Sequence, residues 1–247
     1  MPYLLRVALK AIILLIISAH HPLQAEYLEN QSIAKELEQA LNKKDISALK
    51  NILPEEERLS LTSRYQKFLR AFPNAHWKII QAQTLKDGRK ALEVSITGNK
   101  VVKGEKYAIK TIQLLGIKTL EHRVIEKEVL NEESIIQNGN TPLSISINVP
   151  KAVLTGTTYD FDIILNKPLG ETMLIGGLTP ITKEQIQNQL SPPIELVPLG
   201  GGGLFKSVKA PLKPGIQNWA AVIAHPKGVI SITKMVRIVE SQNDIKL

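Results

Sequence analysis

The fold is decided by residues 76–129, which read HWKIIQAQTLKDGRKALEVSITGNKVVKGEKYAIKTIQLLGIKTLEHRVIEKEV. Apolar and polar residues alternate here in four successive runs, most clearly from Leu92 to Thr97. An alternation with a period of two is typical of a half-buried β-strand. Asp87-Gly88 between the first two runs is a strong hairpin signal. This stretch therefore predicts a curved antiparallel sheet of four strands.

Two amphipathic helices are predicted before this sheet. In residues 30–43 the apolar side chains recur at helical spacing, at Ile33, Leu37, Ala40 and Leu41. A second helix is expected from Pro54 to Phe72, because its acidic residues come first and its basic residues last, as the helix dipole favours. Asp45 is a suitable cap for a short helical connector between the two. Residues 26–137 are thus predicted to form one domain.

The composition changes at residues 137–142, which are rich in turn formers and lack large apolar groups. Beyond this boundary, seven short alternating runs are separated by Gly, Pro and Asn. Such spacing is typical of a β-sandwich, here placed at residues 142–240. The predicted fold class is therefore α+β, with N-terminal helices packed on a curved antiparallel sheet, followed by an all-β sandwich domain.

Residues 1–25 have the pattern of a secretory signal peptide. Arg6 and Lys10 are basic, residues 11–17 are uninterrupted apolar sequence, and the segment ends in the small residue Ala25. Cleavage after Ala25 would export the chain to the periplasm, the thylakoid lumen or the extracellular space. The alternative is an uncleaved membrane anchor, although the apolar run falls short of the roughly 20 residues that span a bilayer. After cleavage no stable membrane span is expected.

Composition excludes several classes of function. The chain has 247 residues and no cysteine, which excludes disulfides, thiol catalysis, iron–sulfur clusters and Cys-ligated zinc. Aromatic residues make up only 4%, which argues against a stacking platform for nucleic acid. The net charge of +8 includes Arg6 and Lys10 of the predicted signal, and no dense basic patch occurs. No nucleic-acid partner and no cofactor are expected.

Three sequence features imitate functional motifs. The glycine run 200–203 precedes Lys206, but Phe205 occupies the place where a phosphate-binding loop needs glycine, so a hairpin tip and contact loop is favoured. Asp160 and Asp162 flank Phe161 and share one face of a strand, which we interpret as the solvated face of the sandwich. No two histidines of the mature chain have a helical metal-ligand spacing, and no metal site is predicted.

Residues 30–136 resemble the nuclear-transport-factor-two-like fold, in which helices and a curved sheet form a cone. The likeness rests on Ile33 to Leu37, on the helix end from Tyr65 to Phe72, and on the hairpin Asp87-Gly88-Arg89. Residues 141–240 resemble an immunoglobulin-like sandwich by strand spacing alone. The first resemblance implies a pocket in the cone, for which the candidate ligand residues are Tyr65, Trp77 and His122, while catalytic residues are not assigned.

Two functions follow as expectations. The first is a non-enzymatic, exported binding or scaffold protein for an envelope partner, since both folds often serve binding. The alternative is an enzyme or carrier of a small apolar ligand that works in the cone pocket. The alternative requires a cavity of at least a few hundred Å³ with convergent polar groups.

Overall fold

A computed structural model describes residues 27–139, 143–167, 172–188 and 190–247. The predicted signal peptide lies outside the described residues, and so do residues 140–142 of the predicted domain boundary. In the described part of the chain, no helix is both long enough and apolar enough to cross a membrane.

The described residues form four α-helices and twelve strands. The helices are α1 (Tyr27–Lys43), α2 (Ile46–Ile52), α3 (Glu55–Ala71) and α4 (Lys183–Gln187). The first four strands are β1 (His76–Gln81), β2 (Lys90–Val102), β3 (Glu105–Leu120) and β4 (Arg123–Asn138). The remaining strands are β5 (Ile145–Asn148), β6 (Ala152–Leu154), β7 (Thr158–Leu165), β8 (Leu174–Ile181), β9 (Val197–Leu199), β10 (Gly203–Lys209), β11 (Gly215–His225) and β12 (Gly228–Val239).

These strands form two sheets. The larger has nine strands in the order β1-β2-β3-β4-β12-β11-β8-β9, with β6 also paired to β12, and the smaller has the order β10-β7-β5. The described chain divides into two compact units. We call residues 27–100 with Ile109–Glu132 the N-terminal unit, and Val101–Ala108 with Glu133–Leu247 the C-terminal unit. Strands β3 and β4 contribute residues to both units.

The predicted α+β fold class was wrong, because the chain is mostly β. The N-terminal part has only three helices among the described residues, whereas the described residues form twelve strands, nine of which belong to one sheet. The last residues of β4 pair with β12, so the sheet does not end at the composition change after residue 136. Pairing between strands so far apart in sequence does not affect local periodicity. The sequence therefore predicted a sheet of four strands where the structure has nine.

The N-terminal unit has the apolar core that its helical and strand patterns predict. Ile33, Leu37 and Ala40 of α1 are buried, and Asp45 caps α2 by accepting a hydrogen bond from the amide of Ala48 at 2.9 Å. Strand β3 runs through Gly116, although a glycine in a strand interior often marks a bulge or bend. A side chain there would meet Leu85 at 3.0 Å and Leu130 at 3.1 Å, so the glycine permits close packing.

Helix α1 also protects the free edge of β1. The side chain of Asn42 accepts a hydrogen bond from the amide of Trp77 at 2.9 Å and donates one to its carbonyl at 2.7 Å. The carboxylate of Glu38, one turn earlier, accepts from the amide of Ile79 at 2.7 Å. These side chains occupy the backbone groups with which another strand would pair.

The C-terminal unit is a β-sandwich. The small sheet and strands β8, β11 and β12 of the large sheet contribute alternate side chains to one core, which includes Phe161, Ile163, Leu204, Trp219, Ile223 and Ile232. On the side of β12 that faces away from β11, residues 229–234 pair with β4 and Arg237–Val239 pair with β6. A short strand, β6, was not anticipated, since three residues are too few to show an alternation.

Candidate functional site

Of the three candidate pocket residues, the structure brings Tyr65 and Trp77 together, and Trp77 alone lines the cavity described below. Tyr65 and Trp77 are both buried, with ring centroids 5.6 Å apart, and the hydroxyl of Tyr65 donates a hydrogen bond to the carbonyl of Leu41. Burial raises the pKa of Tyr65 to about 12, so its phenol is neutral at physiological pH. His122 is exposed in the turn between β3 and β4, where it and Glu121 have φ values of 60° and 48°.

The cavity beside Trp77 is small. Its volume is about 40 Å³, and its lining is apolar except for Gln113 and Lys127. This volume holds a few water molecules, whereas pockets for small organic ligands measure roughly 300–1,000 Å³. Side chains of the N-terminal unit therefore fill most of the pocket that was predicted to bind a ligand.

A buried polar pair lies near this cavity. The amide nitrogen of Gln113 donates a hydrogen bond to the carboxyl of Glu132 at 2.7 Å, and both residues are buried. Loss of solvent raises the pKa of Glu132 to about 8, although the bond from Gln113 opposes that rise. The carboxyl is thus neutral near pH 7. Because solvent does not reach this carboxyl, we infer that the pair affects the stability of the unit and does not take part in a reaction.

The structure also reports on metal ligands. Among the described residues, no three His, Asp or Glu side chains lie close enough together to hold a metal ion. His76 is exposed at the start of β1, and His225 is buried at the end of β11. His225 accepts a hydrogen bond on Nδ1 from the amide of Lys227 at 3.1 Å.

The surface with the most distinctive chemistry is the outer face of the small sheet, formed by Asn148, Asp160, Asp162, Phe205, Ser207 and Lys209. Cross-strand register places Phe205 opposite Asp162 and Ser207 opposite Asp160. The hydroxyl of Ser207 donates to the carboxylate of Asp160 at 2.8 Å. Phe205 is 54% exposed although it lies within a strand.

Phe205 owes its position to the glycine turn. Gly201 and Gly202 have φ values of 72° and 78°, which glycine adopts without strain, and they connect β9 to β10. A side chain at Gly203 would meet the ring of Phe205 at 3.2 Å and one at Gly201 would meet it at 4.0 Å, so the ring leans toward the glycine turn. The turn therefore makes room for an exposed aromatic ring.

Sequence reasoning identified part of this surface. It placed Asp160 and Asp162 on one solvated face with Phe161 in the core, and the burial pattern of β7 confirms this. It also favoured a hairpin tip at the glycine run, which was wrong, because β9 pairs with β8 in the large sheet whereas β10 pairs with β7 in the small sheet. It missed Phe205. The alternation of Leu204 and Val208, both buried, with the residues between them was the available signal, because it directs Phe205 and Ser207 outward.

Comparison with protein families gives one finding for this region. Residues 140–239 match a domain of unknown function, DUF8623. The match covers the sandwich strands from β5 to β12, and hence the outer face of the small sheet. No curated protein matches the chain.

Proposed function

We propose that this chain is an exported, non-enzymatic binding or scaffold protein whose C-terminal unit docks an envelope partner. The observation that carries the proposal is the exposed Phe205 on the outer face of the small sheet. Aromatic residues with a polar rim are enriched at protein interfaces, and Phe205 has Asp162 across the strand pair and Ser207 beside it.

Export is part of this proposal and rests on the sequence pattern of residues 1–25. The immunoglobulin-like assignment is also part of it. The strand order supports this assignment. Strands β5, β7 and β10 form one sheet, and β6, β12, β11, β8 and β9 are successive neighbours in the other sheet. The likeness of residues 30–136 to the nuclear-transport-factor-two-like fold stays a prediction.

The alternative, a carrier or enzyme that uses the N-terminal pocket, is less well supported. A cavity of about 40 Å³ is smaller by roughly tenfold than such a ligand requires. His122 is exposed and is not among the residues that line this cavity.

The test is photo-crosslinking in cells that produce the chain. A photoreactive phenylalanine analogue at position 205 is expected to form an ultraviolet-dependent adduct with one envelope protein, which mass spectrometry identifies. The matched control is position 80, because Ile80 is exposed to a similar extent in the N-terminal unit. Absence of any adduct at position 205, and likewise at the exposed Met173 and Leu212, would overturn the proposal.

A further inference from the structure

We propose that the free edge of β10 binds an extended, acidic segment of a partner protein as an additional β-strand. This inference rests on the proposed binding function and gives it a docking mode and a partner chemistry. It follows from three observations: the direction of the backbone groups of β10, the state of the other sheet edges, and the charge of the strand.

Strand β10 is the last strand of the small sheet and pairs only with β7 among the described strands. Just outside the strand, the amide of Leu165 donates to the carbonyl of Gly202 at 2.9 Å, and that of Ala210 to Thr157 at 2.8 Å. Hydrogen-bonded pairs alternate along an antiparallel ladder, so the even-numbered residues of β10 bond to β7. The amides and carbonyls of Phe205, Ser207 and Lys209 therefore point away from the sheet.

The other edge strands of the described sheets are short or covered, including β6, which has three residues. Side chains of α1 occupy the edge of β1, as described above. Strand β9 has three residues and contains Pro198, and β5 has four and is followed closely by Pro150. Short strands and prolines are common means of blocking strand addition. By contrast, β10 has seven residues and no proline.

Charge selects the occupant. Strand β10 carries Lys206 and Lys209, both exposed, and no acidic residue. Among the described residues, neither ammonium group forms an ion pair. A second copy of this chain would bring the same two lysines against them, and like charges on paired strands are destabilising. An acidic side chain beside Lys206, on the face of the small sheet away from Asp160 and Asp162, avoids that repulsion. An apolar residue on the other face of the same partner strand can contact Phe205.

The experiment uses the chain from residue 26 to 247 and two synthetic peptides as probes. Each has seven residues, like β10. One alternates Val with Glu and the other alternates Val with Lys, so they share strand propensity and differ in charge. Fluorescence anisotropy is expected to show that the Glu peptide binds at least about tenfold more tightly than the Lys peptide.

Two variants separate strand addition from simple charge attraction. Ser207→Pro removes one outward amide and keeps the backbone bonds to β7, but it also loses the bond from the hydroxyl to Asp160. Ser207→Ala loses that bond alone, so Ser207→Pro should bind the Glu peptide about tenfold more weakly than Ser207→Ala does. The double change Lys206→Glu and Lys209→Glu should reverse the peptide preference. Lys78→Glu with Lys110→Glu, at exposed positions of β1 and β3, is the charge-matched control and should leave it unaltered.

Equal binding of both peptides to the wild type would overturn the inference, and so would tight binding that Ser207→Pro leaves intact. These outcomes are distinct from failure of the proposed function. A crosslinked partner at position 205 together with no peptide preference would retain a binding role and exclude strand addition by an acidic segment.

Discussion

At the scale of single residues, Glu132 links the protonation of a buried group to stability. Its pKa in the folded chain is about 8, against an ordinary value of 4.5. Between these two values the folded chain holds a proton that the unfolded chain has released. Stability contributed by the neutral carboxyl is therefore complete below about pH 4.5 and is lost as the pH rises toward 8.

Replacing Glu132 with Gln is expected to remove this dependence. From about pH 5 to 8 the free energy of unfolding of the wild type should fall by up to roughly 1.4 kcal/mol per pH unit, while that of Glu132→Gln stays flatter. Urea denaturation at several pH values measures both. Glu93→Gln, an exposed change on β2, should follow the wild type. Parallel curves for the wild type and Glu132→Gln would contradict the assignment.

Two glycines allow close backbone approach where β4 ends and β12 begins. A side chain at Gly228 would lie 2.1 Å from the carbonyl oxygen of Asn138, and one at Gly139 would lie 2.2 Å from that of Lys227. Their φ values are 157° and 119°, in the region that favours glycine. Both positions therefore exclude a side chain by contact with backbone atoms, which cannot move aside as a flexible side chain does.

Gly228→Ala is expected to destabilise the chain by about 2–3 kcal/mol, since it adds both a clash and backbone strain. The matched control is Gly200→Ala, because a side chain at Gly200 meets no atom within 4 Å and its φ is not positive. Thermal unfolding of the two variants gives the comparison. A melting temperature for Gly228→Ala equal to that of Gly200→Ala would show that the close approach between the end of β4 and the start of β12 tolerates a methyl group.

At the scale of elements, the link between α1 and β1 depends on side chains that take the place of a neighbouring strand. Asn42 makes two hydrogen bonds to the backbone of Trp77, and Glu38 makes one to that of Ile79. The helix thus holds the first strand by directional bonds in addition to apolar packing. This use of the helix was not visible in sequence, because an asparagine on a helix gives no sign of its tertiary partner.

Asn42→Ala is expected to cost about 1–3 kcal/mol in the free energy of unfolding, since it leaves a partly buried amide and carbonyl of Trp77 without their partners. Gln39→Ala, an exposed change on the same helix, is the control and should be nearly neutral. Hydrogen exchange should also become faster at the amide of Trp77 in Asn42→Ala alone. Unchanged exchange at that amide would mean that α1 does not protect the edge.

Several elements followed from local signals. The apolar spacing of α1, the cap at Asp45 and the alternation in β2 were sufficient to predict helices and strands close to those described. The lengths of β3 and β4 were not predicted, because Gly116 and the residues near 130 resemble interruptions in sequence. Packing of Leu85 and Leu130 over Gly116 explains why the strand continues there.

At the scale of the whole molecule, export remains to be tested on the protein itself. Cleavage after Ala25 predicts a mature chain that begins at Glu26 and carries 29 basic and 23 acidic residues once Arg6 and Lys10 are removed. Mass spectrometry of the protein purified from its natural source measures the N-terminus. A chain that retains Met1 would contradict cleavage and favour the membrane-anchor alternative.

The sequence by itself determined the order and type of most elements, the sandwich pattern after residue 142, and the outward position of Asp160 and Asp162, because periodicity and turn chemistry act over a few residues. Only the tertiary structure decided that β4 pairs with β12, where Asn138 bonds to Val229 and Glu133 to Lys234 across 91 and 101 residues of chain. It also decided that the space beside Trp77 is nearly filled and that β10 is the end strand of the small sheet in the described part of the chain. These properties depend on contacts between residues that are far apart in the chain, and local sequence patterns do not predict such contacts.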